Sequence, residues 1–187
     1  MMKSASQKIG RRSLLPRSSS FALSAMVCRL TVNKKQYAAV KDELTEVRDK
    51  ADVLRKELVV LVETDKKAFD KVMAALKLSG DEKSLALEAA NKGAAGVPLV
   101  VMKKSLEVLR LVKPVAQKGN QNSLSDAGVA GLMAMASVEG AFYNVKINLA
   151  GVADKSFTDQ MRREAQQVHD EARKLADEIR AIVESKL

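Results

Sequence analysis

The chain has no tryptophan, one cysteine, one histidine and three prolines, and aromatics make up only 3% of its 187 residues. The single Cys28 excludes a disulfide framework and any multi-cysteine metal cluster. The single His169 excludes the usual histidine-based zinc site. It sits among Gln167, Asp170 and Glu171, which reads as a surface position. Few aromatics and abundant Ala, Leu, Val and Met disfavour a sandwich or barrel and suit closely packed helices. No apolar run reaches the 18 or so residues of a membrane span. Residues 1–41 contain no acid at all. Nine of the 32 basic residues lie there, so the rest of the chain balances its 23 acids and is neutral. The basicity is an N-terminal feature rather than a patch on a folded surface, so neither a nucleic-acid nor a membrane partner is expected.

Hydrophobic residues make up 47%, enough for a real core. Met1–Ser20 is rich in Lys, Arg and Ser without a clear period, and a short apolar stretch, Phe21–Cys28, follows. An export signal with a lipid-modified Cys28 and a transit peptide are both readings of this segment. The plainer one is a disordered basic tail, residues 1–19, on a cytoplasmic protein whose all-helical domain is 20–187.

From Lys34 to Leu78 there is neither Gly nor Pro, and Tyr37, Val40, Leu44, Val47, Ala51, Leu54, Leu58 and Leu61 recur in alternating steps of three and four. That heptad seam predicts one long helix. Straight, it would span roughly 65 Å, against a radius of gyration of about 16 Å for a compact domain of this size. It is therefore bent, broken near Glu63–Asp65, or part of an elongated molecule that pairs with a second copy. The seam continues through Ala68, Val72 and Ala75, and the one misfit is Asp65. A carboxylate facing a core has its charged form disfavoured, which suits it to proton transfer. The alternatives are a polar register residue or one that turns to solvent.

Ser79-Gly80-Asp81 separates this helix from the next, Asp81–Val112, in which Gly93, Gly96 and Pro98 predict close backbone approach and a kink. Pro114 and Gly119 close it. After the polar loop Lys118–Asp126, with Ser123 or Ser125 as N-cap, comes a helix rich in small residues, Asp126–Leu149. Asn144 and Asn148 share one face of it, as a ligand-binding pair or as helix–helix hydrogen bonds. A last amphipathic helix runs from about Ser156, with Asp159 completing a capping box, to Ser185. The fold class is all-α, an antiparallel bundle of about five helices including one long or bent one.

Several segments together carry a resemblance. They are Met26–Thr31 with Lys34-Lys35, Leu61–Phe69 around Asp65, Gly96–Leu99, Lys118-Gly119-Asn120 followed by Ser125-Asp126, and Gly140–Leu149. In this order they resemble the formiminotetrahydrofolate cyclodeaminase / methenyltetrahydrofolate cyclohydrolase family. The resemblance runs from about residue 18 to the C-terminus and implies an all-helical, usually dimeric enzyme acting on one-carbon-loaded tetrahydrofolate. A cyclodeaminase closes the ring when the substrate's anilino nitrogen attacks its formimino carbon and ammonia leaves. A cyclohydrolase opens the methenyl bridge with water. Neither reaction needs a metal or redox cofactor, and both move protons around a carbon held between two nitrogens. The family's catalytic aspartate matches Asp65. Asn120, Ser125, Asp126, Asn144 and Asn148 become the candidates for the pterin's donor-acceptor edge, and Lys34, Lys35 and Arg29 for the glutamate tail. One departure stands out. The family opens with Pro-Gly-Gly-Gly-Ser, whereas Pro16–Ser20 here contains no glycine. The alternative function is accordingly a non-catalytic helical dimer or scaffold derived from the family.

Overall fold

The computed structural model describes residues 14–187. Residues 1–13 of the expected tail lie outside the described residues, and 14–19 belong to the first helix. Five α-helices follow one another: α1 (Leu14–Val32), α2 (Lys41–Ala75), α3 (Gly80–Lys118), α4 (Leu124–Leu149) and α5 (Lys155–Glu184). Short 3₁₀ turns, Lys35–Val40 and Gln121–Ser123, precede α2 and α4.

The ion pairs fix the register. Glu57 pairs with Lys104 at 3.0 Å and Glu43 with Lys118 at 2.8 Å, so α2 and α3 run antiparallel. Lys92–Asp154, Arg110–Glu171 and Lys113–Glu178 ascend together, so α3 and α5 run parallel. These pairs are solvent-accessible, so each contributes little stability. They report alignment, and burial supplies the energy.

The seam of α2 is buried at Leu44, Val47, Ala51, Leu54 and Leu58, as the spacing predicts. The helix does not break at Glu63–Asp65: it begins at Lys41, after the 3₁₀ turn, and runs unbroken to Ala75. Beyond Leu58 the seam is half-buried at Leu61, Ala68 and Val72, exposed at Asp65 and buried again at Ala75. Gly80, at φ +59°, makes the turn into α3.

Helix α3 is continuous through Pro98, as expected, and Gly119 ends it as its C-cap, but Pro114 lies inside it rather than closing it. A Cβ added at Gly93 or Gly96 would meet nothing within 4 Å, so among the described residues the expected close backbone approach is not made there. The helix also contains an 18-residue window apolar enough, by length and composition, to cross a membrane. Many of its apolar residues from Ala94 to Ala116 are buried, though Val100 is exposed, and its packing against α2, α4 and α5 makes it the central helix.

Small residues on α4 let neighbours approach, as the sequence predicts. A Cβ on Gly131 would lie 3.0 Å from Ile179 Cγ2, and one on Gly128 3.3 Å from Val183 Cγ1. Helix α5 starts one residue before the expected capping box. Its N-cap is Asp154, whose side chain accepts the Phe157 N–H at 3.0 Å. Glu88 of α3 accepts the N–H groups of Ala153 and Asp154, and Asn91 donates to the Gly151 carbonyl. These bonds hold the α4–α5 turn against α3.

Candidate functional site

The eight sequence-selected residues fall into two groups at opposite ends of the bundle. One group surrounds the α1–α2 and α3–α4 connections. Lys34 and Lys35 are exposed there, beside the 3₁₀ turn that begins α2. Asn120 is buried, and its polar groups are engaged locally: its N–H donates to Thr31 Oγ1 at 2.9 Å and its side-chain oxygen accepts the Asn122 N–H at 3.3 Å. Thr31 in turn donates to the Val27 carbonyl at 2.6 Å. Asn120 is thus the cap that aims the polar loop. Tyr37 closes the other side of that loop by accepting the Gln121 N–H at 3.2 Å, which lowers its phenol below the usual range. Ser125 is exposed and Asp126 half-buried in the first turn of α4, where a carboxylate meets the positive end of the helix. Ser123 occupies the N-cap position without a side-chain hydrogen bond.

The second group lies where α2, α3 and α4 meet at the other end. Following the Glu57–Lys104 register along both helices puts Asp65 at the level of Gly96. Asn144 is exposed on α4 and Asn148 half-buried. Asn148 Nδ2 donates to the Ala94 carbonyl at 2.8 Å. In a regular helix that carbonyl would accept from residue 98, but Pro98 has no N–H. The Asn148 amide therefore satisfies the acceptor that the proline orphans. Of the two readings of the Asn144–Asn148 face, the helix–helix bond is realised at Asn148, and the rest of its amide remains for other partners.

At 1.5 Å per residue, Ser125 and Asn148 are about 35 Å apart along α4. A single copy does not bring the two groups together. Nor does it bury Asp65 against its own core, since the side chain is exposed. Among the described residues, nothing supplies the burial expected from the seam.

The solitary histidine is not a surface residue. His169 is 7% exposed. Its Nε2 lies 2.6 Å from Glu139 Oε2, and its ring stacks on Phe142 with centroids 4.5 Å apart. The Lys146 ammonium lies 3.8 Å from the Phe142 ring centroid. The available signal was the spacing Ala165, His169, Ala172, which puts the imidazole on the buried face of α5. Cys28 is fully buried, and burial pushes its thiol up to about 11, so it is an inert core residue. Among the described residues no cluster of three or more His, Cys, Asp or Glu side chains could hold a metal.

Comparison with known proteins identifies the family and the fold. The family model described as formiminotransferase-cyclodeaminase matches residues 16–167. The methenyltetrahydrofolate cyclohydrolase of Methylorubrum extorquens is 39% identical over 172 residues, covering 89% of this chain and 83% of that protein. The formimidoyltransferase-cyclodeaminase of Gallus gallus is 28% identical over 171 residues, which are 88% of this chain but 32% of the longer protein. The crystal structure of formiminotetrahydrofolate cyclodeaminase from Thermotoga maritima superposes with a TM-score of 0.87 at 28% identity, covering 94% of this chain and 87% of that one.

Proposed function

The chain belongs to the formiminotransferase-cyclodeaminase family, and from that premise we propose that it is an enzyme of folate one-carbon metabolism that hydrolyses methenyltetrahydrofolate. The observation that carries the choice of reaction is the 39% identity to a methenyltetrahydrofolate cyclohydrolase across most of both chains. The cyclodeaminase reaction is the second reading, favoured by the match to the Thermotoga maritima enzyme over 94% of this chain. Both reactions use one carboxylate in the same way.

Asp65 is the catalytic group. It takes a proton from the attacking water, or from the anilino nitrogen in the cyclodeaminase direction, and returns one to the departing nitrogen. Asn144, Asn148, Asn120, Ser125 and Asp126 supply donors and acceptors for the pterin edge. Lys34 and Lys35 supply cations for the glutamate carboxylates. The reaction balances with water and proton transfers alone, so it calls for no metal or redox cofactor. The working form is a homodimer, because one copy leaves the two groups of site residues at opposite ends and Asp65 exposed. The enzyme works in the cytoplasm.

The test is to incubate the purified protein separately with methenyl- and formimino-tetrahydrofolate while following the methenyl absorbance. Loss of absorbance from the first substrate is the expected result. Appearance of absorbance from the second, with no turnover of the first, would assign the cyclodeaminase reaction instead. Turnover of neither would leave a scaffold that kept the fold and lost the site.

A further inference from the structure

Tyr37 offers a hydrogen-bond donor at the loop end of the bundle. It sits half-buried within the 3₁₀ turn Lys35–Val40, and its hydroxyl oxygen accepts the Gln121 N–H at 3.2 Å. The Gln36 side chain bonds the same oxygen, and both contacts lower the phenol's pKa, which marks both as donors to it. A phenol carries one hydrogen as well as its lone pairs. With two N–H groups on the oxygen, that hydrogen points to an acceptor that the described residues do not supply.

The charges around that hydroxyl are cationic. The Tyr37 N–H donates to the Lys34 carbonyl at 3.0 Å, a tight turn that brings the two Cα atoms within about 7 Å. The Lys34 and Lys186 ammoniums both lower the phenol's pKa further, so both lie within electrostatic reach of it. Neither ammonium has an ion-pair partner among the described residues, whereas Lys118 at the same end is neutralised by Glu43 at 2.8 Å. The hydroxyl is also held still. Thr31 takes the Asn120 N–H at 2.9 Å, and Lys186 donates to the Ala116 and Gln117 carbonyls at 3.1 and 2.6 Å, which fastens the end of α3 and the loop that follows it. A fixed donor beside an unpaired cation loses little freedom when it binds an anion.

We propose that Tyr37 and Lys34 form one carboxylate subsite, in which the Tyr37 hydroxyl donates to a carboxylate of the substrate's glutamate and the Lys34 ammonium neutralises it. This deepens the folate reading above and rests on it. Tyr37 is then a specificity residue: it favours a folate that carries its glutamate and is indifferent to one that lacks it. Charge assigns the subsite to the carboxylate rather than to the pterin. A pterin edge presents donors and acceptors without a full charge, so it leaves an ammonium unneutralised. A carboxylate has two oxygens, and it accepts an O–H and an N–H from different directions at once.

The test compares KM and kcat on two substrates, methenyltetrahydrofolate and its glutamate-free counterpart methenyltetrahydropteroate. Wild type should show the lower KM for the first. Tyr37→Phe should raise that KM about tenfold, the scale of one hydrogen bond to a charged group. Its kcat should stay within about twofold, and KM for the glutamate-free substrate should not move. A rise in KM for both substrates alike, or a loss of kcat alone, would show that the phenol only holds the loop and would overturn the subsite. Lys34 is exposed and gives an independent variant. Lys34→Gln should raise the same KM and no other, and an unchanged KM in either variant would also overturn the subsite. If the wild type turns over neither folate, the enzyme reading fails, and calorimetry decides the subsite separately. Tetrahydrofolate should then bind wild type more tightly than tetrahydropteroate, and Tyr37→Phe should narrow the difference about tenfold. Equal or absent binding of the two by wild type, or a difference that Tyr37→Phe leaves intact, would overturn it.

Discussion

The bond from Asn148 to the Ala94 carbonyl gives a sharp quantitative expectation, because its cause is a single missing N–H at Pro98. Asn148→Ala leaves a part-buried carbonyl without a donor, at a cost of about 1–2 kcal/mol, the lower part of the range for an unsatisfied buried acceptor. Pro98→Ala restores a backbone N–H four residues after Ala94, so the carbonyl regains a donor within its own helix. In that background Asn148→Ala should cost close to nothing. The two changes therefore couple by about 1–2 kcal/mol in a double-mutant cycle, whatever Pro98→Ala does alone by removing a buried ring. Urea unfolding of the four proteins, with m-values equal within error, measures the coupling. Additive costs, with Asn148→Ala as damaging in the Pro98→Ala protein as in wild type, would refute the link between proline and amide.

Three further expectations concern packing, pH and the loop cap. Gly131→Val forces a branched side chain into Ile179, already 3.0 Å from where a Cβ would sit, and should destabilise by about 1–3 kcal/mol in urea melts. Glu88 is held below the usual carboxylate range by the Ala153 N–H, and Asp154 by its bond from Lys92. Both contribute stability that is present above their ordinary values of 4.5 and 3.8 and lost as pH falls through the lower folded-state values. Glu88→Gln should thus melt lower than wild type at neutral pH, and thermal scans should show the gap closing in acid. Thr31→Val removes the acceptor for the buried Asn120 N–H and should cost about 1–3 kcal/mol, with faster amide exchange at Asn120 and Gln121.

Much of the fold was legible in the sequence because it is written in period and residue size. The α2 seam from Leu44 to Leu58 is buried as spaced, and the small residues of α4 receive Ile179 and Val183. The misreadings share a physical cause, since each depended on a tertiary partner. Pro114 reads locally as a helix end, yet α3 continues through it, and at Pro98, read as a kink, the Asn148 amide satisfies the orphaned carbonyl. His169 looks polar among Gln167, Asp170 and Glu171, yet Glu139 and Phe142 on α4 take it into the interior. Asp65 interrupts the seam, but periodicity alone does not reveal that this position is exposed. Asp65 and the Asn144–Asn148 pair were singled out by spacing and the other site residues by resemblance, and the length of α4 separates Ser125 and Asp126 from Asn144 and Asn148.

The most direct test of the central claim is the turnover of methenyltetrahydrofolate by Asp65→Asn beside wild type, with both proteins checked for equal helicity and melting temperature. Asp65 is exposed within its own chain, so the substitution should leave folding unchanged. Turnover should fall by roughly 10²–10⁴-fold, the usual contribution of a general acid–base group. Turnover within a few-fold of wild type would contradict the account and leave the aspartate a solvent-facing break in a helical seam.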